Sequence, residues 1–557
     1  MRFHYLYFIC FFVYFWAPAS AQKAIPGKYW VVLKDKKGTP WCTCRPQEFL
    51  SARALMRRAK SGIPVTEEDL PLSPAYLRGI QTAGATLHGF SKWLNAVSVV
   101  ADSATVVNLR ALPFVQEVQY LGKNLSWRNP RNRPEKRRGS WANIPSAGAD
   151  APFWGYASQQ NALLGVPVLH LAGHRGAGIQ VVVMDGGFTN VDTMPFFDSL
   201  ALQGRLFTGY DFVERDRAVF ESAYHGTSVL SVMGGHLPGY FVGTAPDATY
   251  FLLKTEDTGG EFPIEEANWI AGAEWADSPG ADLINASLGY TSFNDPALSH
   301  RYSQLDGRTA IGSRGATIAA AKGMIIFNSA GNEGDGPWRY IGVPADAPNV
   351  IAVGAVTPER ARAAFSSVGP TADGRIKPDL VAPGDDIVTA GYSGTNLGTS
   401  SGTSLAAPML AGAVASLWSA FPDKSASEIL SAVFESADHY TTPDNDRGYG
   451  LPDVTAAWLA LRGYAAANHL NNARGGMFAF DRMAGEMRLA LPDLFNMNIR
   501  EVRLSDLNGN TTRAQFTVKN CEITEVTLYQ VADLPSGFYL VRLVHEKGAA
   551  TVMALAF

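Results

Sequence analysis

The 557-residue chain has few cysteines, and they lie close to its two ends. Only four are present, and none falls between Cys44 and Cys521. The long middle part of the chain must therefore be stabilised by core packing without disulfides. Cys42 and Cys44 are separated by a single residue, and a metal site built on this pair would need further ligands that the sequence does not identify.

The chain also lacks an excess of charge of either sign. Lys and Arg number 47 against 51 Asp and Glu, which gives a net charge of −4 at pH 7 and argues against a nucleic-acid-binding protein. Beyond the N-terminal stretch no run of 18 or more apolar residues occurs, so no later membrane-spanning helix is expected. The length predicts three or four folded units.

The N-terminal stretch MRFHYLYFICFFVYFWAPASAQ has the pattern of a signal peptide. Arg2 precedes an aromatic-rich apolar segment, and Ala19-Ser20-Ala21 has the small residues of a cleavage site. A membrane anchor is the alternative interpretation, but the apolar segment is short for a span. We expect residues 1–21 to be removed after Ala21 from an exported, soluble protein.

Residues 22–123 predict a small α+β domain. Strand, helix, strand, strand, helix and strand patterns follow one another, and this order is typical of a ferredoxin-like fold. Residues 124–155 are rich in Pro, Asn, Arg and Gly and predict an exposed linker. The basic cluster Lys136–Arg138 within it is either a processing site or simply a solvated part of the linker.

Residues 156–462 change to continuous apolar strands, such as IQVVVMD, ADLINASLGY and GMIIFNSAG, separated by helical stretches. This alternation predicts a parallel sheet covered on both faces, with function at the carboxyl ends of the strands. Residues 463–477 predict a second linker. Residues 478–557 alternate in polarity about turns and predict a small all-β, sandwich-like domain.

Four polar residues lie at predicted strand ends or helix starts. Asp185 follows a strand, and it could be structural, a metal ligand, a ribose binder or a catalytic orienter. A dinucleotide site would need its G-x-G-x-x-G before the acid, so that interpretation is disfavoured. His225 opens the helical segment HGTSVLSVMGG, and Asn332 in NSAGNEG is either an oxyanion donor or a turn former.

The segment GTSSGTSLAAPML contains two candidate nucleophiles. Ser400 fits the G-x-S-x-G elbow of α/β-hydrolases, whereas Ser404 precedes a helix whose free N–H groups could stabilise an oxyanion. Ser404 could also be a plain helix N-cap. The elbow requires an acid and then a histidine after the serine, and only His439, His469 and His545 follow Ser400, without supporting context.

The chain order Asp, His, Ser is that of the subtilisin-type catalytic triad, and the Asn loop lies between the His and the Ser. The segments VVVMDGG, HGTSVLSVMGG, INASLGY, NSAGNEG and GTSLAAPMLAG resemble the signature segments of subtilisin-like serine peptidases, in the same order. The resemblance implies a subtilisin-like three-layer α/β domain with a parallel sheet. It also implies a serine endopeptidase that acts on proteins or peptides.

The resemblance assigns a role to each residue. Ser404 would be the nucleophile, His225 would move its proton, and Asp185 would hold the imidazole's tautomer. Asn332 and the Ser404 backbone N–H would form the oxyanion hole. The residues expected to bind substrate are Ser287, Leu288, Gly289, Ala330 and Gly331 on one side, and Gly259 and Gly260 on the other.

Two features depart from the pattern of the family. Relatives often carry Ser or Thr directly after the triad Asp, whereas this chain has Gly186. The calcium sites common in the family are not visible: Asp506, Asn508 and Asn510 begin a calcium loop, but Thr517 stands where the closing Glu belongs. We expect that no cofactor is required. Whether the protein binds a structural calcium ion is not decided by the sequence.

The flanking domains fit the same interpretation. The first resembles the propeptide of these enzymes, so the chain's own propeptide is an expected partner. The last is similar to C-terminal sorting domains of type IX secretion, which implies passage through the periplasm and the outer-membrane secretion machinery to the outside or the cell surface. A fibronectin-like accessory domain is its alternative. The oligomeric state is not predicted.

Two questions of function stay open at this stage. A non-catalytic surface or adhesion protein on a peptidase scaffold is the alternative to a secreted endopeptidase made as a zymogen. Five acidic residues near the expected substrate edge either favour basic side chains or form a solvated helix start. They are Glu256, Asp257, Glu261, Glu265 and Glu266.

Overall fold

The computed structural model describes residues 26–123 and 153–462, together with strand segments between residues 478 and 556. The predicted signal peptide, the basic cluster Lys136–Arg138 and the linker 463–477 lie outside the described residues. No described helix has both the length and the apolar character needed to cross a membrane.

Residues 26–123 form an antiparallel four-stranded sheet in the order β2-β3-β1-β4. Its elements are β1 (Gly27–Leu33), α1 (Ala52–Lys60), α2 (Pro74–Thr82), β2 (Thr86–Ser91), β3 (Ala96–Ala101), α3 (Ser103–Ala111) and β4 (Val115–Lys123). The sequence predicted one helix between β1 and β2, and the structure has two. The helix that was missed, α2, packs on the sheet, where Ile80 joins Val97 and Val99 in a buried cluster.

Residues 153–462 are built on seven parallel strands in the order β13-β12-β11-β10-β5-β9-β6. The elements are α4 (Ser158–Leu163), α5 (Val166–Leu171), β5 (Gln180–Asp185), α6 (Asp198–Leu202), β6 (Leu206–Asp211), α7 (His225–Gly234), β7 (His236–Leu237), β8 (Phe241–Val242), β9 (Thr249–Lys254), α8 (Ile264–Asp277), β10 (Leu283–Ala286), α9 (Ile311–Ala321), β11 (Ile325–Ser329), β12 (Val350–Val356), β13 (Leu380–Pro383), β14 (Ile387–Ala390), β15 (Leu397–Ser400), α10 (Thr403–Ser419), α11 (Ala426–Glu435) and α12 (Val454–Leu461).

Helices cover both faces of this sheet, as the continuous apolar strands predicted. Because successive side chains of a strand point to opposite faces, Val181 and Val182 of β5 belong to different cores. One core contains α7 and α10, and the other contains α8 and α9. The result is a three-layer α/β domain.

The C-terminal part contains two four-stranded sheets, ordered β16-β17-β21-β20 and β19-β18-β22-β23. The strands are β16 (Phe478–Asp481), β17 (Glu486–Leu491), β18 (Ile499–Asp506), β19 (Thr511–Arg513), β20 (Gln515–Asn520), β21 (Thr524–Tyr529), β22 (Gly537–His545) and β23 (Gly548–Ala556). All elements described here are strands, in agreement with the predicted all-β domain.

The N-terminal domain packs against the central one through the open face of its sheet. Trp30 and Leu121 from that face lie in the same buried core as Trp269 of α8. At the edge of this contact, the buried Glu274 carboxylate accepts hydrogen bonds from Ser91 Oγ and from the backbone N–H groups of Lys92 and Trp93. The two domains therefore share one buried hydrophobic cluster at their interface.

Cys42 and Cys44 are bonded to each other in a disulfide. Both sulfurs are therefore occupied, and this pair does not provide thiolate ligands for a metal.

Candidate active site

The first half of the candidate site lies where β5 ends and α7 begins. Asp185 ends β5, and its side chain is 1% exposed. His225 is the first residue of α7, and its Nδ1 lies 2.8 Å from Asp185 Oδ2 and 3.0 Å from Oδ1. The backbone N–H of Gly186 donates to Oδ1 over 2.7 Å. A buried carboxylate at this distance favours the tautomer with the proton on Nδ1, which leaves Nε2 as the basic nitrogen.

A glycine makes this approach of α7 to β5 sterically feasible. A Cβ atom at Gly226 would lie 2.3 Å from the carbonyl oxygen of Gly187 and 2.9 Å from Asp185 Cβ. Since real Cβ atoms do not come so close to backbone oxygens, only glycine permits the helix to start here. The sequence HGT therefore combines an imidazole with the residue that lets it reach the carboxylate.

Ser404 lies in the first turn of α10, next to the ends of β10 and β11. The N-cap of α10 is Gly402, so the alternative that Ser404 is merely the cap is wrong. Ser404 is partly exposed, whereas the rest of the helix is buried up to Trp418. Helices α7 and α10 pack side by side from the same edge of the sheet, with Met233 against Gly412. This packing brings the starts of the two helices to one edge.

Asn332 is held in one orientation by Thr403. Its Oδ1 accepts hydrogen bonds from the backbone N–H of Thr403 over 2.8 Å and from Thr403 Oγ1 over 3.0 Å. With the carbonyl end of the amide fixed in this way, Nδ2 is the end left to donate elsewhere. A Cβ atom placed on Gly402 would lie 3.4 Å from Asn332 Nδ2, 2.9 Å from Ser404 Oγ and 3.7 Å from the Ser404 backbone nitrogen.

Because Gly402 has no side chain, a small space bordered by two donors and the serine hydroxyl stays open. The donors are the Asn332 amide and the Ser404 N–H, and free backbone N–H groups at a helix start suit a negative charge. This arrangement is suited to stabilising an oxyanion beside the hydroxyl. The sequence indicated Asn332 and Ser404 for this purpose but missed Gly402 and Thr403.

A proline links the serine to the neighbouring strand. Pro408 lies within α10 and has no N–H, so it leaves the carbonyl of Ser404, four residues earlier, without its helical donor. Ser287 Oγ, just beyond β10, donates to that carbonyl over 2.7 Å, and Asn285 Nδ2 donates to Ser287 Oγ over 3.1 Å. The Ser287 side chain, predicted to bind substrate, therefore contacts the backbone of the candidate nucleophile.

The other predicted substrate residues lie on two segments joined by side-chain hydrogen bonds. The carbonyl of Leu288 accepts from Asn328 Nδ2 over 2.9 Å and from Ser329 Oγ over 3.1 Å. This brings the segment Ser287–Gly289 beside the segment Ala330–Gly331. Gly331 has φ +116°, and a Cβ there would lie 2.8 Å from Ser367 Oγ, so this position requires glycine.

Gly259 and Gly260 belong to a turn, in which the Asp257 side chain accepts from Gly259 N–H and the Asp257 carbonyl accepts from Gly260 N–H. The turn is held from behind by Glu265, which accepts hydrogen bonds from the backbone N–H groups of Asp257 and Phe262, each over 2.8 Å. The segment lies close to the aspartate, because a Cβ on Gly186 would lie 3.1 Å from Thr258 Cγ2. Thr258 thus crowds the position where relatives often carry a hydroxyl.

Two of the five acidic residues near this turn, those at the start of α8, are buried and not solvated. Glu265 and Glu266 are buried, at 1% and 2% exposure, and Glu266 accepts from His300 Nε2 and from the backbone N–H of Gly312. Glu256 accepts a 2.5 Å hydrogen bond from the Tyr290 hydroxyl, and burial raises the pKa of its carboxyl to about 8. These carboxyls therefore accept hydrogen bonds from other groups of the protein. The interpretation of Glu265 and Glu266 as part of a solvated helix start is wrong.

The competing nucleophile lies in a different structural context. Ser400 is the last residue of β15 and pairs with Ile387 of β14 in an antiparallel ribbon, whereas an elbow serine stands on the turn between the strand and the helix. Here that turn consists of residues 401 and 402, before α10 begins at Thr403. His439 follows Asp438, whose carboxylate is bonded by Arg447. Neither residue meets the geometry that an α/β-hydrolase requires.

Among the residues that the structure describes, no three His, Cys, Asp or Glu side chains lie close enough together to hold a metal ion. The predicted calcium-loop residues Asn508 and Asn510 lie outside the described residues.

Comparison with known proteins relates both large domains to one family. Residues 176–451 match the sequence model of the Subtilase family, and residues 28–138 match the Peptidase S8 propeptide domain of Bacteroidota. Over 295 residues the chain is 32% identical to Subtilisin NAT of Bacillus subtilis subsp. natto, covering 52% of this chain and 68% of that protein.

Two further relatives extend this similarity. Subtilisin of Bacillus pumilus is 32% identical over 295 residues, which cover 52% of this chain and 94% of the relative. The Minor extracellular protease Epr of Bacillus subtilis (strain 168) is 27% identical over 383 residues, which cover 68% of this chain and 51% of Epr.

Proposed function

The chain belongs to the subtilase family of serine endopeptidases, with an N-terminal propeptide domain, and we propose that Asp185, His225 and Ser404 are its catalytic triad. The observation that carries this proposal is the 2.8 Å contact between His225 Nδ1 and the buried Asp185 carboxylate. It lies at the sheet edge where α10 presents Ser404.

In the proposed mechanism Ser404 Oγ attacks the carbonyl carbon of the scissile peptide bond. His225 takes the hydroxyl proton on Nε2 and later gives it to the leaving amine. Asp185 keeps the Nδ1 proton in place and stabilises the imidazolium that forms between the two steps. No cofactor enters either step.

The developing oxyanion is held by Asn332 Nδ2 and by the backbone N–H of Ser404. Both donors border the open space beside Gly402, and Thr403 fixes the amide of Asn332 before substrate arrives. Donors that are already oriented need no reorganisation during the reaction, which is why such groups lower the barrier.

The substrate chain is proposed to lie between two backbone segments. Ser287, Leu288, Gly289, Ala330 and Gly331 form one side, and the turn containing Gly259 and Gly260 forms the other. A Cβ on Gly289 would meet a single atom within 4 Å, the Val343 carbonyl oxygen at 3.9 Å, so the space beside it is open. Protein or peptide substrates fit this arrangement.

We further propose that the enzyme is exported and acts outside the cell or at its surface. Residues 1–21 are proposed as a signal peptide, and the C-terminal β domain as a signal for type IX secretion. Support comes from the sequence patterns of these segments and from the similarity to Epr, a minor extracellular protease. The oligomeric state is left open.

The test is covalent labelling of the purified protein with a fluorophosphonate, which reacts with activated serine hydroxyls. We expect a single label on Ser404, located by peptide mass mapping, with loss of labelling in His225→Ala and full labelling in Ser400→Ala. A label on Ser400 would favour the hydrolase interpretation. No label on a correctly folded chain would favour the non-catalytic scaffold.

A further inference from the structure

The N-terminal domain touches the central domain at a second place, far from the candidate triad. Residues 50–69, which we call the arm, leave the antiparallel sheet and contain α1. The arm contacts the ends of α8 and α9, which lie at the amino ends of the parallel strands. Asp185 and Ser287 lie at the carboxyl ends, so the arm docks at the opposite edge of the sheet.

Two glycines of the central domain allow the arm to pack closely against it. A Cβ on Gly280 would lie 2.6 Å from the Ala54 backbone nitrogen, and one on Gly323 would lie 3.0 Å from Ile63 Cδ1. The backbone N–H of Ser51 also donates to the carbonyl of Ser278 over 3.0 Å. The arm therefore lies in direct backbone contact with the turn that follows α8, and its Ile63 side chain contacts the turn that follows α9.

The Arg57 side chain donates its hydrogen bonds to groups of the central domain. Its Nη2 donates to Asp277 Oδ1 over 2.6 Å, and its other nitrogens donate to the carbonyls of Ala281 and Lys322. The Arg57 side chain is 5% exposed and the Asp277 side chain is fully buried. Lys322 is the C-cap of α9, and a carbonyl at a helix C-terminus carries partial negative charge that suits a guanidinium.

Arg58 bridges the two domains. It donates to both oxygens of Asp277, at 2.8 and 3.0 Å, and to both oxygens of Asp69 within the arm, at 3.0 and 3.1 Å. In the opposite direction, Lys322 of the central domain forms ion pairs with Glu68 and Asp69 of the arm, at 2.7 and 3.0 Å. Each buried charge described here thus has an opposite partner across or beside the interface.

We propose that the arm is a separate anchor, which keeps the propeptide domain attached to the peptidase domain after the chain between them has been cut. Close approach at two glycines, paired buried charges and the carbonyl at the end of α9 together form a binding site for the cationic helix α1. The inference rests on the proposed function insofar as the cut is a maturation step. The segment that binds at the turns after α8 and α9 is residues 50–69 of the same chain. This binding does not depend on contacts in the substrate groove, which lies at the opposite edge of the sheet.

The experiment uses a chain that is not expected to cut itself, so that the cut is made only by an added protease. A Ser404→Ala chain is given a recognition site for a sequence-specific viral protease after residue 138 and is immobilised through its C-terminus. After cutting, the loss of the N-terminal fragment is followed in real time. We expect Arg57→Gln to dissociate about 30-fold faster or more, because breaking a buried charge pair raises the off-rate strongly.

Arg110→Gln is the matched control, since Arg110 is exposed on the same domain and donates to Val118 within it. It should dissociate at the rate of the unsubstituted fragment. An Arg57→Gln fragment that stays bound as long as the control would overturn the proposal. Failure of the proposed function would appear separately, as absent self-cleavage in the chain that keeps Ser404.

A measurement without substitution protects the test against misfolding of the variant. Amide hydrogen exchange is followed in the cut Ser404→Ala complex. We expect residues 50–63 and 276–282 to stay as protected as in the uncut chain. Rapid exchange of both segments, while the sheet contact on α8 stays protected, would equally refute an anchoring role.

Discussion

At the scale of single residues, the candidate site depends on side chains that are absent as much as on those present. Gly226 lets the imidazole approach Asp185, and Gly402 leaves open the space beside the Ser404 hydroxyl and the Asn332 amide. The sequence predicted Asp185, His225, Asn332 and Ser404 from their positions at strand ends and helix starts. It could not assign the glycines, because their function appears only when distant segments meet.

Gly402→Ala is predicted to lower kcat by about 10² to 10³-fold, the range for loss of an oxyanion donor. The new methyl group would lie 2.9 Å from Ser404 Oγ and 3.4 Å from Asn332 Nδ2, so it would displace both groups. Gly402 has φ 167°, an extended conformation that alanine adopts without strain. We therefore expect an almost unchanged Tm in thermal unfolding, and full activity in this variant would contradict the proposed oxyanion hole.

At the scale of elements, helix α10, which carries Ser404, is held to the sheet by a hydrogen bond that replaces a helical one. Pro408 removes the donor for the Ser404 carbonyl, and Ser287 Oγ takes its place. The sequence showed a proline early in the helix but not which group would satisfy the freed carbonyl. That partner comes from the end of β10, more than a hundred residues earlier in the chain.

Ser287→Ala is predicted to lower kcat about tenfold with little change in KM, because the unsatisfied carbonyl lets the first turn of α10 shift. Steady-state kinetics on a short peptide substrate provides the measurement. Ser416→Ala is the control: its hydroxyl also donates to a buried carbonyl, that of Thr244, over 2.6 Å, at the far end of the same helix. Equal losses of kcat in the two variants would mean that the effect is general destabilisation.

Prediction of the elements themselves succeeded where the pattern was continuous, and it missed α2 in the N-terminal domain. The buried parallel strands were readily identified, since each is apolar throughout and ends in polar residues. The sequence predicted a single helix between the first two strands of the N-terminal domain, whereas the structure has α2 packed on the sheet and α1 docked on the central domain. Helical periodicity reveals an apolar face but not which surface will cover it.

The acidic residues near the substrate edge illustrate the same limit. The sequence at the start of α8 suggested solvated carboxylates that complement the helix dipole. Glu265 and Glu266 are instead buried and satisfied by backbone N–H groups and by His300. Local sequence gives the charge of a residue, but its burial is decided by loops that return from elsewhere in the chain.

At the scale of the whole molecule, one chain combines a peptidase domain and a propeptide domain around a shared interior. The end of β4 lies next to the expected substrate edge, since a Cβ on Gly122 would meet Phe262 Cδ1 at 3.1 Å. The chain that leaves the propeptide domain therefore starts beside the groove of the enzyme that is proposed to cut it. We propose that Ser404 performs that cut.

The most direct measurement compares the purified precursor with its Ser404→Ala variant by intact mass over time, with casein hydrolysis followed in parallel. We predict that the precursor loses its N-terminal segment and cleaves casein, whereas the folded variant does neither. Maturation and casein cleavage by both proteins would contradict the assignment of Ser404 as the nucleophile.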